Sequence, residues 1–213
     1  MQDVGAVEVD ASRRRFLQLA APVAAGGLAA FLAACGSSSD PQTAEDKSSD
    51  AQAPKGGKDL EIVRFALTLE YLESDFYDKV VEAGVFSGAT GDLFKEIQQN
   101  EHEHVDALTA LAKKLGGAPP ERPVTRFPLG SGARTVIDTA ATLENVGAAA
   151  YLGQADVIEN REVLAAALSI HSVEARHAAK LNRLAGRNFS PDGSFASPLD
   201  MGEVSNAIAR FVI

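Results

Sequence analysis

From about residue 58 onward, apolar residues return every three or four positions, which is the period of a helix with one buried face. Val63, Ala66, Glu70, Glu73, Tyr77 and Val80 form one seam, flanked by Phe65, Leu69, Leu72 and Phe76, and predict a helix over about 58–84. Gly84 and the stretch from Ser87-Gly88 to Gly91 end it. Phe94, Ile97, Glu101, His104, Leu108, Leu111 and Leu115 predict a second helix over about 92–115, closing at Gly116-Gly117. Ile137, Ala140, Glu144, Gly147, Tyr151 and Gln154 predict a third over 133–157. Ala167, Ile170, Glu174, His177, Leu181 and Leu184 predict a fourth over 161–185, with Gly186 as its stop. Residues 187–213 are first broken by Pro and Gly. Glu203 to Phe211 then reads as a short closing helix that packs Ile208, Phe211 and Val212 on the rest. The fold class is all-α.

The seams repeat. Ile97, Glu101, His104, Leu108 and Leu111 recur as Ile170, Glu174, His177, Leu181 and Leu184, an offset of 73. Ala66, Thr68, Leu69, Glu70 and Tyr77 recur as Ala140, Thr142, Leu143, Glu144 and Tyr151, an offset of 74. A two-helix unit is thus used twice. The loop inside each unit is short, so its helices are antiparallel neighbours. Between the units, Gly116 to Gly132 carries Pro119, Pro120, Pro123 and Pro128. A helix of ~25 residues is about 37 Å long, and about fifteen extended residues reach roughly 50 Å. This stretch therefore spans the bundle and starts the third helix parallel to the second. The result is a four-helix bundle over 58–186 with a long crossover between helices 2 and 3.

Before residue 58 the pattern is different. Ser12-Arg13-Arg14-Arg15-Phe16-Leu17 resembles a twin-arginine export signal, and an apolar run of 18 residues, Leu17 to Ala34, follows. Leu32-Ala33-Ala34-Cys35 resembles a bacterial lipobox, in which Cys35 is lipidated and becomes the mature N-terminus. The competing reading is an uncleaved anchor, since the run approaches a membrane-spanning length; Pro22, Gly26 and Gly27 weaken it. Residues 1–34 are then signal, and 35–57, rich in Ser, Asp, Ala, Gln and Gly, a disordered tether. Both readings place the domain outside the cytoplasm, at a membrane of the cell envelope. A net charge of −9 with no basic stripe argues against a nucleic-acid partner. A single cysteine excludes an intramolecular disulfide and a Cys-based metal cluster.

Glu70, Glu101, Glu144 and Glu174 each lie near the middle of a predicted helix, so they share one layer whichever way each helix runs. Glu101-x-x-His104 and Glu174-x-x-His177 add an imidazole one turn from a carboxylate. Four buried carboxylates require protons, cations or metal, and the seams contain no Lys or Arg. Two divalent ions held by carboxylate oxygen and imidazole answer the need most simply, and this donor set suits iron or manganese.

This pattern resembles the ferritin-like superfamily over about residues 58–186. Leu69-Glu70-Tyr71-Leu72-Glu73-Ser74-Asp75-Phe76-Tyr77 is similar to the exported branch that includes desiccation-related proteins. The resemblance implies Glu70, Glu101 and His104 on one half-site and Glu144, Glu174 and His177 on the other, with Glu101 and Glu174 bridging. It implies redox chemistry with oxygen or peroxide for many members and fixes no substrate.

Glu73 shares a seam with Glu70, but its repeat counterpart is Gly147; it is either a seventh ligand or an acid at the wet edge of the core. Tyr77 and Tyr151 either serve the ligands, by hydrogen bonds or in electron transfer, or are packed rings whose hydroxyls find partners, the second being the commoner case. His171, one turn before Glu174, is either an outer partner of the ligands or an ordinary satisfied histidine. His102 is expected on a solvated face. The functional expectation is a membrane-tethered di-metal protein acting on iron, oxygen or peroxide under stress, and the tether argues against a closed storage cage. The rivals are a non-enzymatic stress-protection or binding bundle with structural metal, and an empty bundle with protonated carboxylates.

Overall fold

The computed structural model describes residues 57–213; the export-signal-like segment, Cys35 and the tether up to residue 56 lie outside the described residues. Within them are helices α1 (Gly57–Glu82), α2 (Gly88–Lys114), α3 (Ala133–Gln154), α4 (Arg161–Leu184) and α5 (Met201–Ile208). Short 3-10 turns occupy Leu129–Ser131 and Ala209–Phe211. No strand occurs among the described residues, only an isolated antiparallel bridge between Thr125 and Val212.

The chain directions follow from side-chain pairs. The Tyr77 hydroxyl donates to Glu144, and the Tyr151 hydroxyl donates to Glu70, so α1 and α3 run antiparallel. The crossover follows α1 along its length. Gly117 sits against Leu60, Arg122 lies over the Tyr71 ring, Lys79 Nζ bonds Thr125 Oγ1 at 2.8 Å, and Phe127 packs edge-on against Phe76. The loop thus carries the chain from the start of α1 to its end, and α3 begins parallel to α2. This is the long-crossover bundle that the four prolines and the reach of the segment imply.

Three boundaries differ from the periodicity. α2 begins at Gly88, not near residue 92, because Gly91 is a helical residue whose N–H reaches Ser87 O. A Cβ at Gly91 would stand 2.8 Å from the Phe86 carbonyl oxygen, so this glycine serves close packing and not termination. α3 stops at Gln154, where the C-terminal tail crosses it: Leu199 N bonds Ala149 O at 3.1 Å, and the Leu199 backbone occupies the space a Cβ on Gly153 would need. The closing helix starts at Met201, set by a capping box in which Asp200 and Glu203 each bond the other's backbone N–H.

Two packing expectations also change. Ile208 and Phe211 are buried, but Val212 is exposed; its backbone pairs with Thr125, which turns the side chain outward. Leu184, in the last turn of α4, is 37% exposed because the seam has left the bundle there.

The core falls into two apolar clusters separated by a polar layer. Phe76, Phe94, Ile97, Leu143 and Leu181 belong to one, and Leu67, Val105, Leu108, Val163 and Ile170 to the other. Each seals one side of the layer from water.

Candidate metal centre

Glu70, Glu101, Glu144 and Glu174 have no exposed surface, Glu73 is 2% exposed, and His104 and His177 are 8% and 7% exposed. Each comes from the middle of its helix, so the long flanking turns on both sides hold the Cα positions. Two overlapping groups result, Glu70–Glu101–His104–Glu174 and Glu101–Glu144–Glu174–His177. In each, one donor atom per residue lies within 4.8 Å of all the others. Glu101 and Glu174 belong to both groups. The structure therefore brings together the six residues expected as ligands and puts the two expected bridges in the shared positions.

Both imidazoles turn Nδ1 inward. His104 Nδ1 lies 3.1 Å from Glu101 Oε2, 3.1 Å from Glu174 Oε1 and 3.4 Å from Glu70 Oε2. His177 Nδ1 lies 3.1 Å from both Glu101 Oε1 and Glu144 Oε2. One N–H cannot serve three oxygens. Accordingly Glu70 Oε2, Glu73 Oε2, Glu101 Oε1 and both oxygens of Glu174 are buried without a properly aligned hydrogen bond, although several lie within ion-pair distance of an imidazole. Distance alone does not satisfy a carboxylate; alignment decides, and these oxygens are orphans. Orphaned carboxylate oxygens converging with imidazole nitrogen form a donor set suited to hard divalent cations. The residues fit two such ions: four ligand carboxylates balance their charge, and Glu73 is one acid more.

The electrostatics without metal are adverse. Burial, then the charge of Glu144, pushes Glu101 up to about 7. Burial and the neighbouring carboxylates, Glu174 first for Glu73 and Glu101 first for Glu174, push these two acids well above the usual range. Burial alone would lower His177, but the carboxylates of Glu101 and Glu144 close to its Nδ1 prevail and raise it to about 9. His104 is raised in the same way, through Glu101, Glu174 and Glu70. The layer holds protons where it holds no metal.

Around the ligands, Tyr77 OH bonds Glu144 Oε1 at 2.5 Å and Tyr151 OH bonds Glu70 Oε1, so both expectations for the tyrosines meet: packed rings whose partners are ligand carboxylates. Burial, then the partner's charge, raises both phenols, which keeps them protonated donors. Glu73 fills the space that Gly147 leaves open: a Cβ there would come within 2.9 Å of Glu73 Oε1 and 3.0 Å of Glu174 Oε2. His171 does not join the centre; its Nδ1 bonds the Ala148 carbonyl at 3.0 Å. His102 bonds Asp78 on the half-exposed surface.

Asn100 was not anticipated. Its side-chain amide lies 3.0 Å from His177 Nε2. A metal held by His177 would leave the imidazole proton on Nε2, and the Asn100 amide, flipped to present its oxygen, would accept it. The only signal in the sequence is that Asn100 precedes Glu101 where Val173 precedes Glu174. Glu96, Asn100, Glu103 and Arg176 border a cleft of about 290 Å³ between α2 and α4 that reaches His104 and His177.

Comparison with known proteins agrees with this fold. A conserved hypothetical protein from Mycobacterium tuberculosis superposes with a TM-score of 0.55 at 21% identity, over 62% of this chain and 93% of that one. A structure from Bacillus anthracis, described as ferritin-like, diiron-carboxylate proteins, gives 0.54 at 23% identity over 63% and 99%. A hypothetical protein from Methanococcus jannaschii gives 0.52 at 17% over 76% and 98%. No curated protein matches the sequence. The family model described as ferritin-like domain matches residues 58–187, the whole four-helix bundle with its crossover. The chain belongs to the ferritin-like domain family.

Proposed function

We propose that the protein is an exported, membrane-tethered di-metal protein that binds two iron or manganese ions and oxidises ferrous iron or turns over oxygen or peroxide. The observation that carries this reading is the sharing of Glu101 and Glu174 between two buried donor sets, each completed by its own Glu and His. The Bacillus anthracis neighbour is described as a diiron-carboxylate protein, which supports iron as the first metal to try. Bound metals would supply Lewis acidity and exchangeable electrons. The chain supplies the rest. Tyr77 and Tyr151 orient Glu144 and Glu70 by donating to one oxygen of each, leaving the other for a metal. Glu73 is able to hold a proton beside the shared Glu174. The two apolar clusters exclude bulk water, and the cleft between α2 and α4 admits a small reactant. That opening favours a reactive centre over a purely structural metal, which needs no access.

The tether rests on the sequence: Arg13-Arg14, the apolar run and Cys35 support lipidation in the bacterial envelope, and the Leu69–Tyr77 segment supports kinship with the desiccation-related branch. Among the described residues no helix is long and apolar enough to cross a membrane. The test is to purify the protein without added metal, count bound metal, and follow ferrous oxidation and peroxide consumption. Metal bound with neither activity rejects the enzyme and leaves the structural-metal reading.

A further inference from the structure

A second cleft, of about 590 Å³, lies at the end of the bundle where α3 begins and α4 ends, and it shares no residue with the metal centre. Three separate segments each bring an arginine to it: Arg126 from the crossover, Arg187 from just beyond α4, and Arg210 from the C-terminal turn. The only acidic residue in the lining is Asp138. This is a positive surface on a chain of net charge −9.

The walls are fixed by backbone and aromatic contacts. Arg126 N donates to Phe211 O at 2.9 Å, Ile213 N donates to Val124 O at 2.9 Å, and the Phe127 and Phe211 rings stack obliquely at 5.7 Å. Asp138 accepts from Arg187 Nη2 at 2.9 Å and so orients that guanidinium. The Arg210 guanidinium lies 4.6 Å from the Phe211 ring centre. Among the described residues neither Arg126 nor Arg210 has a carboxylate within ion-pair distance. The first turn of α3, which contributes Thr135, contains no acidic residue, and its Gly132 cap offers no side chain, so the positive end of that helix adds to the same field.

We propose that this cleft binds a small soluble organic anion, with a carboxylate or phosphate group between Arg126, Arg187 and Arg210 and an apolar body against the half-buried Phe127 ring. Guanidinium forks match the planar oxygens of carboxylate and the tetrahedral oxygens of phosphate better than any other side chain. The half-buried Phe127 ring, backed by Phe211, gives a surface that an inorganic ion alone would leave uncovered. An anionic lipid headgroup has the same chemistry.

The test titrates phenyl phosphate into the full chain by calorimetry, with inorganic phosphate as the ring-free control. The expected result is saturable binding of one phenyl phosphate per chain, tighter than inorganic phosphate. Arg126→Gln and Arg210→Gln should each weaken it about tenfold while metal content and melting temperature stay unchanged. No saturable binding at millimolar ligand, or equal affinity in the double variant, overturns the site. A third arm uses phosphatidylglycerol vesicles, comparing the chain with the double variant so that any contribution of the N-terminal segment cancels. Vesicle binding lost in the double variant, without phenyl phosphate binding, overturns the soluble ligand and assigns a lipid headgroup.

Discussion

The hairpin α1–α2 and the hairpin α3–α4 offer the same ligands from repeat-equivalent positions, yet their surroundings differ. Where the first hairpin has Glu73, the second has Gly147, and Glu73 extends into the space the glycine leaves. Where His177 has Asn100 on its outer nitrogen, the equivalent position beside His104 is Val173. The shared ligands Glu101 and Glu174 are symmetric; the residues behind them are not. Duplication thus explains why there are two overlapping donor groups, and divergence around the duplicated residues makes the two groups unequal.

The largest effect is expected at the symmetric part. Because Glu101 belongs to both donor sets, Glu101→Ala should abolish binding of both metals, whereas Glu70→Gln should reduce binding mainly at the His104 side. Metal counting on both purified variants checks this; equal partial loss would break the assignment of shared and unshared ligands. Without metal, Glu101→Gln should stabilise the fold, by removing a buried charge.

The metal-free protein should also respond to pH in a definite sense. Acids raised by burial, such as Glu101 at about 7, stabilise the fold below their unfolded value near 4.5 and lose that contribution as pH rises through about 7. His177, raised to about 9, contributes fully below 6.5 and loses it as pH rises through about 9. Both act in the same direction, so the melting temperature of metal-free protein should fall by several degrees between pH 5 and 9. Metal-loaded protein should not show this fall. A metal-free melting temperature that rises over that range would contradict a proton-neutralised layer.

The asymmetric positions should give smaller effects that sharpen the comparison. Gly147→Ala forces Glu73 and Glu174 to move and should destabilise by about 1–3 kcal/mol. Adding Glu73→Ala should recover most of that loss, a coupling readable in a double-mutant cycle. Additive losses would mean that the glycine is there for some other reason. Asn100→Val should weaken metal at the His177 position by about tenfold or more, leaving the His104 position unaffected. Equal weakening at both would remove Asn100 from its role as the partner of His177.

Much of this was legible in the sequence because duplication turned weak signals into strong ones. A lone Glu-x-x-His says little, but its recurrence at a fixed offset, with the seam around it, identifies helices, layer and ligands together. The crossover was legible because proline content and length left it one physical route. Boundaries were less so. Gly91 reads as a helix breaker, and only the nearby Phe86 carbonyl shows that it is a packing glycine inside α2. Val212 reads as core, and only its backbone pairing with Thr125 turns it outward. Asn100 was invisible because its partner comes from another helix 77 residues away, and no local spacing encodes that meeting. The arginine cleft was hidden for the same reason: its three arginines come from three segments joined only by the fold.

The most direct test of the central claim is an anaerobic titration of metal-free protein with ferrous or manganous ion, followed by calorimetry and metal analysis. The account predicts two ions per chain, bound with unequal affinity, each raising the melting temperature. His177→Ala should remove one of them and cost stability only when metal is present. Well under one ion per chain, no stabilisation by metal, and an equal effect of His177→Ala with and without metal would contradict it.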